Sequence, residues 1–206
     1  MNKICILISL LLSTTLTAES KVLAFAGSTR HDSYNKKLVH EAASIAKQMG
    51  AAVTVLDLND YPIPLYDEDL ESTHGMPLNA KRIRDLMIES QAIIIASPEY
   101  NASIPAVLKN VIDWASRDEA SQSSRAAFKG KKFAIMSASP SPLGGKNALV
   151  DLKAIIEAVG GEVVQVQTCI PDAYNAFDAA GHIKDKKIEE QLKNEIKLLE
   201  IVQYKS

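Results

Sequence analysis

The 206-residue chain predicts an α/β fold, a parallel sheet with helices packed on both faces. Two observations predict it. Five short apolar segments, rich in Val, Ile and Phe, mostly lack the strict alternation of half-exposed strands, as strands covered on both faces should. Segments of helical period separate and follow them, so strand and helix alternate along the chain.

In order, the first strand is "KVLAFAG", starting at Lys21. Leu38, Ala42, Ile45, Ala46 and Met49 then form a helical stripe that Gly50 stops. The second strand is "AAVTVLDL", from Ala51, followed by the long irregular stretch "NDYPIPLYDEDLESTHGMP". Loops of that length inside a compact domain are usually functional or mobile. The third strand is "QAIIIAS", and beyond its loop Ile104, Val107, Leu108, Val111 and Ile112 line one face of a helix with Pro105 in its first turn. The fourth is "KKFAIMSAS", with Leu149, Leu152, Ile155, Ile156 and Val159 as the next stripe and Gly160–Gly161 as its stop. The fifth is "GEVVQVQT", and "KKIEEQLKNEIKLLEIV" closes the chain with Ile188, Leu192, Ile196 and Leu199 on one face. Right-handed crossovers leave few topologies for this pattern. It fits a flavodoxin-like three-layer sandwich, a five-stranded parallel sheet of order 2-1-3-4-5, with ligands beyond the carboxyl ends of the first and third strands.

Composition narrows the function. With 23 basic and 25 acidic residues the formal charge is -2, which gives no footprint for nucleic acid. The basic run at Lys129–Lys132 reads as the solvated approach to a strand. Residues 1–18 have one Lys, an apolar stretch and small residues ending at Ala18, the layout of a secretory signal peptide cleaved after Ala18. Residues 19–206 then form a single domain, with export to the periplasm or medium expected and a cytoplasmic location as the alternative. No later stretch approaches transmembrane length, so no stable membrane insertion of the mature chain is expected. Of the two cysteines, Cys5 falls in the signal, which leaves Cys169 alone as a small residue at a strand end.

Three loops fall on the ligand edge. After the first strand, "GSTRHDSYN" gives a sharp turn at Gly27, hydroxyls at Ser28, Thr29 and Ser33, and a planar fork at Arg30. With the free N–H groups of the helix that follows, these make a cradle for a phosphate monoester. It is neither a dinucleotide glycine turn nor a lysine P-loop. After the third strand, "SPEYNASIP" carries Pro98, which stiffens a turn whose backbone can read the edge of a flat heterocycle. Tyr100 can cover its face, and Asn101 and Ser103 can cap the helix beyond. Glu99 would oppose an anion, so it is expected to fix loop geometry or to meet a neighbouring subunit. After the fourth strand, "SASPSPLGGKNA" offers close backbone approach at Gly144 and Gly145. A phosphate at one end and a planar ring at the other fit FMN better than a dinucleotide.

The patterns G-S-x-R-x-x-S-x-N and S-P-E-Y-N-x-S-x-P-x-x-L-K-N-x-I-D-W resemble those of the NADPH-dependent FMN reductase family, which includes quinone, chromate and azo-dye reductases. The resemblance runs from Lys21 through nearly all the rest. It implies that Ser28, Arg30, Ser33 and Asn35 hold the FMN phosphate. It puts Pro98, Glu99, Tyr100, Asn101 and Ser103 beside the isoalloxazine ring, with Gly144 and Gly145 bordering the flavin. Pro140 and Ser141 stand where relatives often carry glycine, a departure that bears on nicotinamide docking. "LKNVIDWASR" matches a helix used in the family's dimer contacts, which makes Trp114 and Arg117 candidate interface residues of a homodimer or homotetramer, with core packing the alternative for Trp114.

The chemistry so implied belongs to the cofactor. NADPH or NADH passes hydride to the flavin, leaves, and a quinone, free flavin or similar small-molecule electron acceptor is reduced from the same face, a ping-pong cycle. No catalytic side chain is required. His31 lies in the phosphate loop and could touch phosphate, whereas His40, His74 and His182 have no metal-ligand spacing and are expected at the surface. The alternative is a flavin-binding electron carrier without NAD(P)H turnover, against which the near-neutral charge argues. An exported enzyme would meet little NAD(P)H, a tension between the first residues and the rest.

Overall fold

A computed structural model describes residues 19–201. Its sheet has the order β2-β1-β3-β4-β5, formed by β1 (Lys21–Ala26), β2 (Ala52–Leu56), β3 (Ala92–Ala96), β4 (Lys132–Ala138) and β5 (Glu162–Val163). A sixth strand, β6 (Cys169–Ile170), pairs with β4, and every ladder is parallel. The residues explain the missing alternation. Val22, Ala24, Ile94 and Met136 join one core, while Leu23, Phe25, Ile95 and Ile135 join the other. On the inner strands β1, β3 and β4 neither face meets water, so neither needs polar residues.

The first core is closed by α1 (Tyr34–Gln48) and α7 (Lys186–Lys197), with Leu38, Ala42 and Ile45 of α1 facing Leu192 and Ile196 of α7. The second is closed by α3 (Leu78–Glu89), α4 (Ala106–Ala115) and α5 (Lys146–Ala158), through Ile83, Met87, Leu108, Ile112, Leu149 and Leu152. The stripes at 38–49, 104–112 and 149–159 fall on these helices. The stretch read as irregular is half structured, since Leu58–Asp60 form a 3-10 turn and α2 spans Glu68–His74. Asp67 caps α2 by accepting from the N–H groups of Asp69 and Leu70. The predicted fifth strand is broken. Strand pairing stops at Val163 and resumes at Cys169 against Ser137; between them Val164 N–H still donates to Phe133 O and Thr168 O accepts from Ser137 N–H, so the chain leaves β4 only at residues 165–167. A short helix, α6 (Ala173–Ala176), follows β6. No helix among the described residues is long and apolar enough to cross a membrane, and the expected signal peptide lies outside the described residues.

Candidate functional site

The carboxyl ends of β1, β3 and β4 lie side by side, so the loops they feed converge. The ladder runs on past the strands: Gly27 N–H donates to Ala96 O at 2.9 Å and Ser97 N–H to Met136 O at 2.8 Å. A cleft between the loops is lined by Ser28, Arg30, Ser33, Asn35, Pro98, Glu99 and Tyr100, with Tyr34, Ala138, Ser139 and Pro140. A larger groove of about 770 Å³ runs beside α7, past Met49, Val166 and Lys193, and the three loops contribute nothing to it. Size does not select the site in this molecule. Chemistry does.

At the β1 end the donors are well placed for an anion. Ser33 occupies the N-cap of α1 but makes no side-chain capping bond, so its buried hydroxyl remains available. The first N–H groups of α1, at Tyr34 and Asn35, have no acceptor within the helix. Ser28 is buried, its oxygen accepting from Arg30 N–H at 3.3 Å. Arg30 itself is exposed, with only a long 3.5 Å contact from its guanidinium to Asp32 O. These groups suit a phosphate monoester in number and sign. His31 is 99% exposed and sits 3.2 Å from the Asp32 carboxylate.

The structure corrects one expectation here, the capping of α4, and gives the other residues partners within the chain. Asn35 has spent its side chain within the chain, Nδ2 donating to Ala138 O at 2.9 Å and Oδ1 accepting from Ala138 N–H at 2.9 Å. Its side chain ties α1 to the end of β4, and its backbone N–H, in the first turn of α1, is left for the phosphate. Asn101 and Ser103 do not cap α4, whose N-cap is Pro105 without a side-chain bond. They belong to a tight turn in which Tyr100 and Ser103 exchange backbone hydrogen bonds of 2.9 and 3.1 Å while Asn101 and Ala102 take positive φ. Gly27 is required by packing, since a Cβ there would lie 2.9 Å from Leu108. Gly144 and Gly145 share a loop with the cleft-lining Ser139 and Pro140, and what they approach closely is their own chain. A Cβ on Gly144 would stand 2.8 Å from the Ile170–Pro171 backbone, and one on Gly145 would stand 1.8 Å from Ser137 Oγ.

The ring end is half open. Pro98 is buried and Tyr100 is 51% exposed at the rim. Ser137 Oγ donates to Ser97 O at 2.6 Å, locking the ends of β3 and β4 together. Glu99 lines the cleft, but its carboxylate is engaged by the start of α5. Its Oε2 accepts from the N–H groups of Asn147 (2.9 Å) and Ala148 (3.3 Å), and its Oε1 from Asn147 Nδ2 (3.2 Å). The expectation that it fixes loop geometry matches these bonds.

Trp114 and Arg117, offered as interface residues, work inside the chain. Trp114 is fully buried, and its Nε1 and the Asn110 amide both donate to Pro64 O at 2.9 Å. Arg117 Nε reaches both oxygens of the buried Glu71 at 3.0 Å, and Tyr66 O–H donates to the same carboxylate at 3.0 Å. These bonds strap residues 64–71 onto α4. Sequence reading missed the strap because its partners lie more than forty residues apart; the polar Asn110, Trp114 and Arg117 at helical spacing were the only signal. Cys169 is half-buried at a strand end, and burial raises its thiol pKa. His40, His74 and His182 are exposed, and no metal-holding cluster occurs among the described residues.

Comparison with known proteins gives the same reading. The model for NADPH-dependent FMN reductases matches residues 20–175. The NAD(P)H-dependent FMN reductase of Pseudomonas aeruginosa is 33% identical over 187 residues, covering 90% of this chain and 96% of that protein. A quinone reductase of Pseudomonas putida is 32% identical over 170 residues, covering 80% and 85%. Among solved structures, the flavoenzyme NAD(P)H:(acceptor) oxidoreductase of Paracoccus denitrificans superposes with a TM-score of 0.73 at 28% identity, covering 88% of this chain and 97% of that one. The chain belongs to the NADPH-dependent FMN reductase family.

Proposed function

We propose that this protein moves hydride from NAD(P)H through FMN to a quinone or similar small acceptor, donor and acceptor using one open face in turn in a ping-pong cycle. Its family makes it a flavin-dependent oxidoreductase with NAD(P)H as co-substrate. The observation that supports the reading best is the cleft's division of labour. Hydroxyls, a free guanidinium and helix N–H groups gather at one end, and a stiff loop with an exposed tyrosine stands at the other.

Ser28, Arg30, Ser33 and the first turn of α1 would hold the phosphate, and the 98–103 loop would border the ring. Bound FMN supplies the acceptance and release of hydride. The chain's own task is to hold, orient and partly cover. Among the described residues lining the cleft, the one carboxylate is Glu99, already bonded to α5, so no side chain stands ready as a general base. The relatives named quinone reductases support a quinone as acceptor. Export through the signal peptide read at residues 1–18, and assembly as a homodimer or homotetramer, belong to the same proposal. Cell fractionation and light scattering test them.

The experiment for the reaction is anaerobic reduction of FMN-reconstituted protein. Bleaching of the flavin absorbance by NADPH or NADH, followed by recovery on adding a quinone, is the expected result. Tight FMN binding without bleaching would mean an electron carrier. Failure to bind FMN would overturn the proposal.

A further inference from the structure

We propose that the side chains of Glu99 and Asn35 are positioning groups for the flavin, bracing loop 139–145 from its two ends without themselves touching phosphate or ring. The inference rests on the flavin reading and concerns how the cleft keeps its shape. Loop 139–145 joins β4 to α5, and its Ser139 and Pro140 line the cleft. At its start, Ala138 is clasped by the Asn35 amide through both backbone groups. At its end, α5 begins at Lys146 with Gly145 as N-cap, and glycine brings no side chain to satisfy the open N–H groups.

Glu99 supplies that cap from another loop. Its carboxylate bonds the N–H groups of Asn147 and Ala148 and the Asn147 amide, 48 and 49 residues along the chain. A carboxylate on a helix N-terminus is well matched to the positive end of the dipole. The arrangement answers the objection raised by a negative residue beside an anion site, because the charge is directed into α5. Each brace comes from a different cofactor loop, Asn35 from the phosphate side and Glu99 from the ring side. The third loop is therefore set by the two loops that frame the flavin. Gly145 lets the braces close, since any Cβ there would meet Ser137 Oγ.

The test uses the full chain and three variants, Glu99→Ala, Glu99→Gln and Asn147→Ala. FMN affinity is read from flavin fluorescence quenching, and amide hydrogen exchange at residues 139–148 is read without FMN. Losing a cap corresponds to about a fivefold rise in the FMN Kd for Glu99→Ala. Faster exchange at Asn147 and Ala148 should accompany it, with a smaller change of both kinds in Asn147→Ala. Glu99→Gln keeps an acceptor for Asn147 N–H, so it should recover most of the affinity and leave the midpoint potential of bound FMN at the wild-type value. A potential displaced equally in Glu99→Gln and Glu99→Ala, with exchange at 147–148 unchanged, would overturn the proposal, because Glu99 would then act on the ring through its charge. If the wild-type chain binds no FMN, the flavin reading fails instead, and the exchange measurement still decides the brace.

Discussion

The carboxylate of Glu195 accepts from Thr168 N–H at 2.8 Å, at the point where the chain rejoins β4 through Thr168 O, and both residues are sealed from water. Glu195 Oε1 and Thr168 Oγ1 are both buried without a partner among the described residues. An unpaired buried charge is costly, so desolvation pushes the Glu195 pKa up to about 8.

This sets the sign of a pH effect. Between the ordinary glutamate value of 4.5 and about 8, the folded state keeps a proton that the unfolded chain has lost. Over that window Glu195 makes stability fall with rising pH, by at most about 1.4 kcal/mol per unit. Glu195→Gln removes the titration and keeps an acceptor for Thr168 N–H. Urea unfolding of both proteins from pH 5 to 9 should show the variant gaining on the wild type as pH rises. Parallel curves would contradict a protonated Glu195.

The strap on α4 makes a second, larger prediction. Glu71 is 1% exposed and its carboxylate is shared by Arg117 and Tyr66. Arg117→Ala leaves that charge buried and unpaired, a loss of about 3 kcal/mol. Arg117→Lys should recover little, because an ammonium cannot reproduce contacts from Nε and Nη2 together. Chemical denaturation measures both.

Much of the fold was legible in the sequence, for a physical reason. Strands buried on both faces write themselves as apolar runs, and Leu38–Met49 or Leu149–Val159 write a helix through spacing. The break after Val163 was not legible, because Val164 is as apolar as its neighbours and only Glu195, far along the chain, takes the N–H of Thr168. The site shows the same division. Ser28, Arg30, Ser33 and Pro98 could be placed from their own loops. The work of Asn35, Glu99 and Gly144 depends on partners 26 or more residues away, and that of Gly145 on Ser137 at the other end of its own loop. Close approach was rightly inferred at the glycines, but its object proved to be the chain itself.

The turn at 101–102 is strained by one residue. Both central positions have positive φ, 52° at Asn101 and 63° at Ala102. Asn tolerates that region and Ala does not, at a cost of about 1–2 kcal/mol. Ala102 is exposed, so Ala102→Gly sacrifices no packing. After the greater chain entropy of glycine in the unfolded state, a net gain of roughly 0.5–1 kcal/mol remains. Calorimetry should find Tm raised by about 2 °C.

Arg30 tests the phosphate end against the ring end. Its guanidinium is exposed and, among the described residues, makes only the long contact to Asp32 O, so Arg30→Ala should fold with stability close to wild type. A charge-assisted hydrogen bond to phosphate is worth about 1.5–3 kcal/mol, which is roughly 10- to 150-fold in affinity. That loss should appear for FMN and be absent for riboflavin, which carries the same ring without phosphate. The FMN affinity of the wild type should also weaken with added salt more steeply than that of the variant, since an exposed ion pair is screened. Equal losses for FMN and riboflavin would instead place Arg30 at the ring, and would reverse the orientation given to the cofactor between the β1 and β3 loops.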